Sequence, residues 1–420
     1  MGTDSATAAK LAGLKISDRT VKGISREMIE IPPEEEGGKV TIKWKYRNPD
    51  GSILKDGERI NNINSLAVPP AWSEVWFCSE EDGHIQATGK DGKGRLQYRY
   101  HPDWNKIKSD LKFAGVDEFA MSLSGLRERV AADTDINIPG MPQYKAVALV
   151  VWLMDRYHIR VGSDEYAKEN ESYGLTTLQE GHFELIKGKR ADGKHDAIFD
   201  FTGKSGKKWR LLIKDDLIVD LIKASKAVGG EDKKQDLFRY EDDAGHDFDV
   251  KAEHINKYIR EATGESYTAK NFRTWAASWK AGARLALVSE ANEKEISNIP
   301  KLYKEAQEEQ SDLGLGITII WKGTRLKNPE GIVKLAENGK LPGEGEKERM
   351  ATMLAIIDTV AGDLGNTRAV CRSSYIRPMF MDDWEENIFI ERWKNASKIK
   401  KLPELSREES TAVHYMRTHE

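Results

Sequence analysis

The stretch Gln143-Tyr144-Lys145-Ala146-Val147-Ala148-Leu149-Val150-Val151-Trp152-Leu153-Met154-Asp155-Arg156-Tyr157 decides how this chain is organised. Ala146, Val147, Val150, Val151, Leu153 and Met154 form a wide apolar stripe at helical spacing, which marks a core helix. Toward the N-terminus the same spacing runs through Ile107 to Phe113 and Glu118 to Ala131. Before Trp104 the period becomes two. Lys39 to Arg47 alternates, with Val40, Ile42, Trp44 and Tyr46 apolar and Lys39, Thr41, Lys43, Lys45 and Arg47 polar, which predicts a strand with one buried and one basic face. Asn48-Pro49-Asp50-Gly51 signals a turn into a second strand. Val75 to Cys78 and His84 to Thr88 read as further strands, whereas residues 1–37 read as loosely structured up to Ile31-Pro32-Pro33 and the acidic Glu34-Glu35-Glu36.

Toward the C-terminus, Phe183 to Lys187, Ala197 to Thr202 and Lys208 to Ile213 predict a small β meander, and helices resume at Leu217. Residues 291–347 are rich in Glu, Lys and Gly and read as a helical excursion with a flexible connection. The expected fold class is α+β. An antiparallel β-rich domain over 1–104 precedes a larger, mainly helical domain over 105–420 that carries the meander.

A chain of 420 residues is long enough for two domains. Hydrophobic residues make up 39% and charged residues 32%, as in soluble proteins with a large solvated surface. No apolar run reaches a membrane span, and Met1 to Ser5 lacks the basic and apolar segments of an export signal. Cys78 and Cys371 fit neither zinc spacing nor a disulfide framework, so a reducing cytoplasmic compartment is expected. The net charge of −4 argues mildly against a nucleic-acid partner. Its distribution weighs more. Basic residues gather at 39–47 and 90–99, and acidic ones at 34–36, 241–243, 305–312 and the C-terminus. That pattern suggests a basic DNA-facing surface and an acidic outer one.

Tyr375, in Arg368-Ala369-Val370-Cys371-Arg372-Ser373-Ser374-Tyr375, is the candidate nucleophile. A free phenol has a pKa of about 10, so it attacks a phosphodiester only with cations around the phosphate and an acid for the leaving oxygen. Arg160, in Ile159-Arg160-Val161-Gly162, follows the core helix, where a guanidinium can fork onto two phosphate oxygens. Lys204 sits at the tip of the Gly-flanked hairpin Thr202-Gly203-Lys204-Ser205-Gly206. Arg273 opens a helix capped by Thr268, on the margin of the stripe Phe272, Trp275, Ala276 and Trp279. Asn366 follows a helix closed by Gly365. Each has a plainer reading: solvated arginines, an ordinary turn lysine, a post-helix asparagine and a structural tyrosine.

In that order these residues resemble the type IB DNA topoisomerases, in particular their viral and bacterial branch. The resemblance runs from about Arg59 to Pro378. It includes Asn61 to Trp76, Gln86-Ala87-Thr88-Gly89-Lys90, Gln97-Tyr98-Arg99-Tyr100-His101-Pro102, Tyr173-Gly174-Leu175-Thr176-Thr177-Leu178 and Lys270-Asn271-Phe272-Arg273-Thr274. It implies an enzyme that relaxes supercoiled double-stranded DNA through a 3′-phosphotyrosyl intermediate, without ATP, metal or other cofactor. It further implies a monomer clamped around duplex DNA at the nucleoid, with no membrane association. Tyr375 would attack, Arg160, Arg273 and Asn366 would hold the non-bridging oxygens, and Lys204 would protonate the 5′ oxygen. Asn366 departs from the histidine of many members, so its share is the least fixed. Gln86, Lys90, Gln97, Tyr98, Tyr100, Tyr166 and Lys270 are the candidate DNA contacts, although 97–100 reads equally as a half-buried strand.

Two other readings compete. Tyrosine recombinases use nearly the same constellation, but Asn271-Phe272-Arg273 lacks their His-x-Leu-like pattern and the β-rich first domain does not suit them. A catalytically silent DNA-binding protein would not need Tyr375 together with all three basic residues.

Overall fold

A computed structural model describes residues 5–31, 41–186, 195–230, 232–310 and 316–419. The acidic run Glu34 to Glu36, Lys39 and Val40 of the alternating strand, Lys187, and positions 311–315 of the excursion lie outside the described residues. The chain divides into the units Met1–Ala114 and Gly115–Glu420.

In the first unit the order is α1 (Ser5–Leu11), β1 (Ser25–Ile31), β2 (Thr41–Arg47), α2 (Gly57–Ser65), β3 (Ser73–Phe77), β4 (Ile85–Lys90), β5 (Leu96–Tyr100) and α3 (Pro102–Phe113). β1 and β2 form an antiparallel ribbon, and β3-β4-β5 a three-stranded antiparallel sheet. Ile24, Tyr46, Ile63, Phe77 and Ala87 make one core cluster, with Tyr46 edge-on to Phe77. Ala8, Ala9 and Trp104 make another.

Three expectations change here. Residues 1–37 contribute α1 and β1, because Ala8 and Ala9 pack on Trp104 and β1 supplies the partner that β2 needs. The apolar face of β2 is buried only toward its end, where Tyr46 is 5% exposed and Ile42 is 49% exposed. The ribbon's far end, with Ile42 opposite Glu30, stands away from the core. The division falls after 114 rather than 104, since Trp104 stacks on Tyr100 at 4.1 Å and keeps α3 with the first unit.

The second unit opens with α4 (Val116–Asp133), α5 (Gln143–Tyr157) and α6 (Asp164–Asn170). β6 (Phe183–Leu185), β7 (Ala197–Gly203) and β8 (Lys207–Ile213) form the meander, in antiparallel register with Phe201 opposite Trp209. After α7 (Asp216–Lys226), the ribbon β9 (Arg239–Glu241) and β10 (Asp247–Asp249), and α8 (Ala252–Thr263) comes α9 (Ala269–Ser289). α9 packs on α4, α5, α13 (Glu346–Leu364) and α17 (Arg407–Thr418), which makes it the axis of the unit. Phe272, Trp275, Ala277 and Ala281 are buried along it. Among the described residues no helix is long and apolar enough to cross a membrane.

The excursion is more structured than its composition suggests. α10 (Glu293–Ser297) and α11 (Ile299–Gln310) lead into an antiparallel hairpin of β11 (Thr318–Trp321) and β12 (Thr324–Lys327), then α12 (Glu330–Glu337). Ile319, Trp321, Leu326 and Ile332 are buried, and β12 packs on α13. The hairpin is hard to read from periodicity because each strand has only four residues and Ile319, Ile320 and Trp321 run on without alternation. α14 (Arg368–Ser374), α15 (Met379–Glu385) and α16 (Phe389–Ser397) complete the unit.

Two helix ends prepare the site. α5 stops at His158, which adopts a left-handed conformation at φ 57° and turns the chain toward Arg160. α13 stops at Gly365, φ 61°, as expected from the sequence. The Gly365 N–H donates to Gly362 and the Asn366 N–H to Ala361 O, which is a Schellman closure. A Cβ on Gly365 would run into the Trp209 indole. Gly365→Ala therefore combines a left-handed backbone with a buried overlap. It should cost about 2–4 kcal/mol in urea unfolding, and a cost under about 0.5 kcal/mol would contradict this packing.

Candidate active site

Four of the five residues expected to carry the chemistry converge in the second unit. Arg273 is the fifth residue of α9, whose start is set by Asn271 accepting from the Thr268 N–H at 3.0 Å. Its guanidinium is 3% exposed and donates to His158 O, to Leu364 O at 2.8 Å and to Asn366 Oδ1 at 3.4 Å. The His158 and Leu364 carbonyls belong to the ends of α5 and α13, so Arg273 ties three helices together. Arg160 donates from Nη2 to the same Asn366 oxygen at 2.7 Å. The strand-like segment that carries Arg160 is fixed by Leu175 N–H to Arg160 O at 2.8 Å and Thr176 N–H to Val161 O at 2.6 Å. Gly162 and Gly174 let these backbones meet, because a Cβ on Gly174 would fall 2.5 Å from Gly162 N.

Tyr375 closes α14, whose Thr367 cap accepts from Val370 N–H. The ring is half-buried, and the Arg273 guanidinium lies 5.0 Å from its centroid. Ser278, five residues after Arg273 on α9, pins this segment: its hydroxyl contacts Tyr375 O at 3.2 Å and accepts from Arg377 N–H at 3.0 Å.

The electrostatics follow from this geometry. Burial pushes the Tyr375 pKa up, but the charges and hydrogen bonds of Arg273 and Arg160 outweigh it and bring it below the usual phenol value. Burial and then the neighbouring Arg160 lower the Arg273 pKa to about 10, which still leaves it cationic at neutral pH. Arginines only donate, so the Asn366 atom facing both must be the carbonyl oxygen. Its Nδ2 is then left buried with no hydrogen-bond partner. An unmet buried donor costs about 1–3 kcal/mol unless a ligand accepts from it.

Lys204 stands apart from this cluster. It is exposed at the hairpin tip, with Nζ 5.6 Å from the centroid of the Tyr166 ring. Tyr166 is 48% exposed, and Lys270 is exposed in the first turn of α9. In the first unit the candidate DNA contacts are mostly engaged already. Gln86 is 5% exposed and its amide nitrogen donates to Glu81 O and Gly83 O at 2.8 and 2.7 Å, so it serves the turn before β4. Lys90 pairs with Glu74 at 2.7 Å, and Gln97 donates to Asp91 at 3.0 Å. Tyr98 and Tyr100 stack at 5.7 Å, the first 36% exposed and the second partly buried.

Sequence reading missed several participants. Lys207 donates to Asn366 O at 3.5 Å, and Trp209 lies under Gly365. Beneath the site, the mostly covered Asp363 pairs with Lys280 at 2.9 Å and Arg284 at 2.5 Å. Burial raises its pKa, yet these two cations outweigh that and hold it well below the usual carboxylate range. Lys280 and Arg284 fall four residues apart on α9, a spacing that could have marked a paired site. Nothing in the sequence points to their partner on α13.

Comparison with known proteins points to one family. The family described as "Eukaryotic DNA topoisomerase I, catalytic core" matches residues 103–313, and that described as "Bacterial DNA topoisomerase IB, N-terminal domain" matches residues 43–91. The first match spans Arg160, Lys204 and Arg273 and ends before Asn366 and Tyr375. DNA topoisomerase 1B of Acanthamoeba polyphaga mimivirus is 32% identical over 253 residues, which are 60% of this chain and 72% of the viral protein. DNA topoisomerase 1B of vaccinia virus (strain Western Reserve) is 24% identical over 37% of this chain and 46% of its own length. DNA topoisomerase 1 of Mycosarcoma maydis is 24% identical over 57% of this chain and 25% of its own length.

The shifted phenol gives a direct test. Ultraviolet titration of the protein against Tyr375→Phe should place the Tyr375 midpoint below about 10. In Arg273→Ala, burial acts with less opposition, and the midpoint should rise above that of the native protein. A native midpoint at or above the free phenol value would contradict the role of the two guanidiniums.

Proposed function

The chain belongs to the type IB DNA topoisomerase family, and we propose that it relaxes supercoiled duplex DNA by cutting one strand, letting it rotate and resealing it. The observation that carries this reading is one half-buried tyrosine beside two guanidiniums that share an amide oxygen, with the amide's own donor unused. Such a pocket suits a tetrahedral anion. It provides fixed donors and a nucleophile whose ionisation the same cations favour.

The phenolic oxygen of Tyr375 attacks phosphorus and its proton passes to solvent. The bond from phosphorus to the 5′ oxygen breaks, leaving a 3′-phosphotyrosyl ester and a 5′ hydroxyl. Arg160, Arg273 and Asn366 Nδ2 hold the non-bridging oxygens as negative charge builds on them. Lys204 delivers the proton to the 5′ oxygen. The Ser205 and Gly206 backbones, at φ 63° and 72°, present Lys204 on a tight tip suited to entering a groove. Resealing reverses these steps. The ester conserves the energy of the broken bond, so neither ATP nor a metal is required. Tyr166, Lys270 and exposed parts of the first unit serve as backbone contacts, and the enzyme acts as a monomer closing around the duplex at the nucleoid.

The main test is relaxation of supercoiled plasmid in EDTA without ATP. The protein should relax it without strand exchange, and Tyr375→Phe should abolish relaxation while keeping DNA binding. Strand exchange would favour a recombinase, and binding without relaxation a non-catalytic protein. Asn366→Ala should slow single-turnover cleavage by roughly 10- to 1,000-fold, as loss of one oxyanion donor does. Asn366→His should retain much of the rate and add a pH dependence near about 6.5. Cleavage by Asn366→Ala at the native rate would remove Asn366 from the site.

A further inference from the structure

Trp209 lies where three separate elements meet. It belongs to β8 of the Lys204 hairpin, is 4% exposed, and stacks on Phe201 of β7 at 5.8 Å. Gly203, immediately before Lys204, touches it so closely that a Cβ there would fall 2.8 Å from the indole Nε1. Gly365, immediately before Asn366, has no room for a Cβ against the same ring. The third element is the excursion. The Lys327 ammonium, at the end of β12, lies 5.4 Å from the indole centroid.

The excursion is itself seated on the site's helices. Arg284 of α9 donates to Arg325 O at 2.9 Å. On α13, a Cβ on Gly362 would fall 3.2 Å from Lys327 O and 2.8 Å from Asn328 Nδ2, so the end of β12 lies flush against that helix. Lys207 adds a bond from the hairpin to Asn366 O at 3.5 Å. Burial, the largest influence on Lys327, lowers its pKa, as expected for an ammonium withdrawn from water against an aromatic face.

We propose that Lys327 and Trp209 are positioning residues: the β11–β12 hairpin, through the Lys327 cation on the Trp209 ring, sets the Lys204 hairpin relative to the Asn366 turn and so governs proton delivery to the leaving oxygen. This rests on the function proposed above. Neither residue touches the reacting phosphate in this scheme. Loosening the indole shifts Gly203 beside the hairpin tip, while Arg273 stays held by its bonds to the His158 and Leu364 carbonyls. The consequence should therefore fall on the leaving-group step.

Single-turnover cleavage by the full chain, on ordinary duplex and on duplex with sulfur replacing the bridging 5′ oxygen, tests this. A thiolate leaves without a proton. Lys327→Met keeps the stem and removes the charge. Trp209→Phe keeps an aromatic ring, and thermal melting reports whether each variant is folded. Both should slow cleavage of ordinary DNA by about 5- to 30-fold, the range expected from losing a desolvated cation–π contact. On the sulfur substrate both should return to within about 3-fold of the native enzyme, as Lys204→Ala does, while Arg273→Ala stays slow. If Lys204→Ala is rescued but Lys327→Met is slow on both substrates, or as fast as native on both, the positioning role is overturned and the proposed function stands. If Lys204→Ala is not rescued, the leaving-group assignment falls and this inference falls with it.

Discussion

The amide oxygen of Asn366, shared between Arg160 and Arg273, is the contact on which the site depends. Two guanidiniums side by side repel, and Arg273 is almost wholly buried. Among the described residues, neither is neutralised by a carboxylate. Their partners are the His158 and Leu364 carbonyls, the neutral Asn366 amide and the Tyr375 phenol. The depressed pKa of Arg273, about 10, records the strain of burial and of its like-charged neighbour. An uncompensated cationic pair with an unused donor beside it has the chemistry to take an anion from outside. A carboxylate at position 366 would satisfy the arginines in the free protein and blunt their pull on a phosphate.

Holding such a pair requires a stiff frame, and the buried ions beneath provide it. Asp363 stands three residues before Asn366 on α13, and Lys280 and Arg284 on α9 clamp it. Breaking a buried pair of this kind costs about 3–5 kcal/mol, because it strands a charge. The clamp therefore fixes the end of α13 against the helix that carries Arg273. Ser278 fixes the Tyr375 segment to that same helix. A second network secures α17: Arg127 bridges Asp155 and Glu409, and Trp275 donates to Glu409 at 3.3 Å. The Tyr375 segment and the Arg273–Asn366 contact are thus both anchored to one helix, α9.

The first unit is organised differently. Of the basic residues on and beside its strands, Arg47 pairs with Glu27, Lys90 with Glu74 and Arg95 with Asp91. These are surface pairs, individually weak and screened by salt. They can be exchanged for phosphate at little cost, so their presence in the free protein is compatible with a basic DNA-facing surface. Gln86 is a different case, since its amide nitrogen is spent on backbone carbonyls in a buried turn.

Much of this protein was legible in its sequence. Helical spacing at 143–157 and the change of period near Trp104 gave the α+β class, because periodicity reports burial directly. Gly365 announced the end of α13, because only a residue without Cβ fits a left-handed cap under Trp209. Tyr375, Arg160, Arg273 and Asn366 were identifiable as candidates by residue type and order. Tertiary structure alone decided how they meet. It brought together residues as far apart as Arg160 and Asn366, turned the asparagine oxygen toward both arginines and left its nitrogen free. It also supplied Asp363, Trp209 and Lys327, whose roles arise from partners distant in sequence. Local pattern reports which face of an element is buried, but not what that face is buried against.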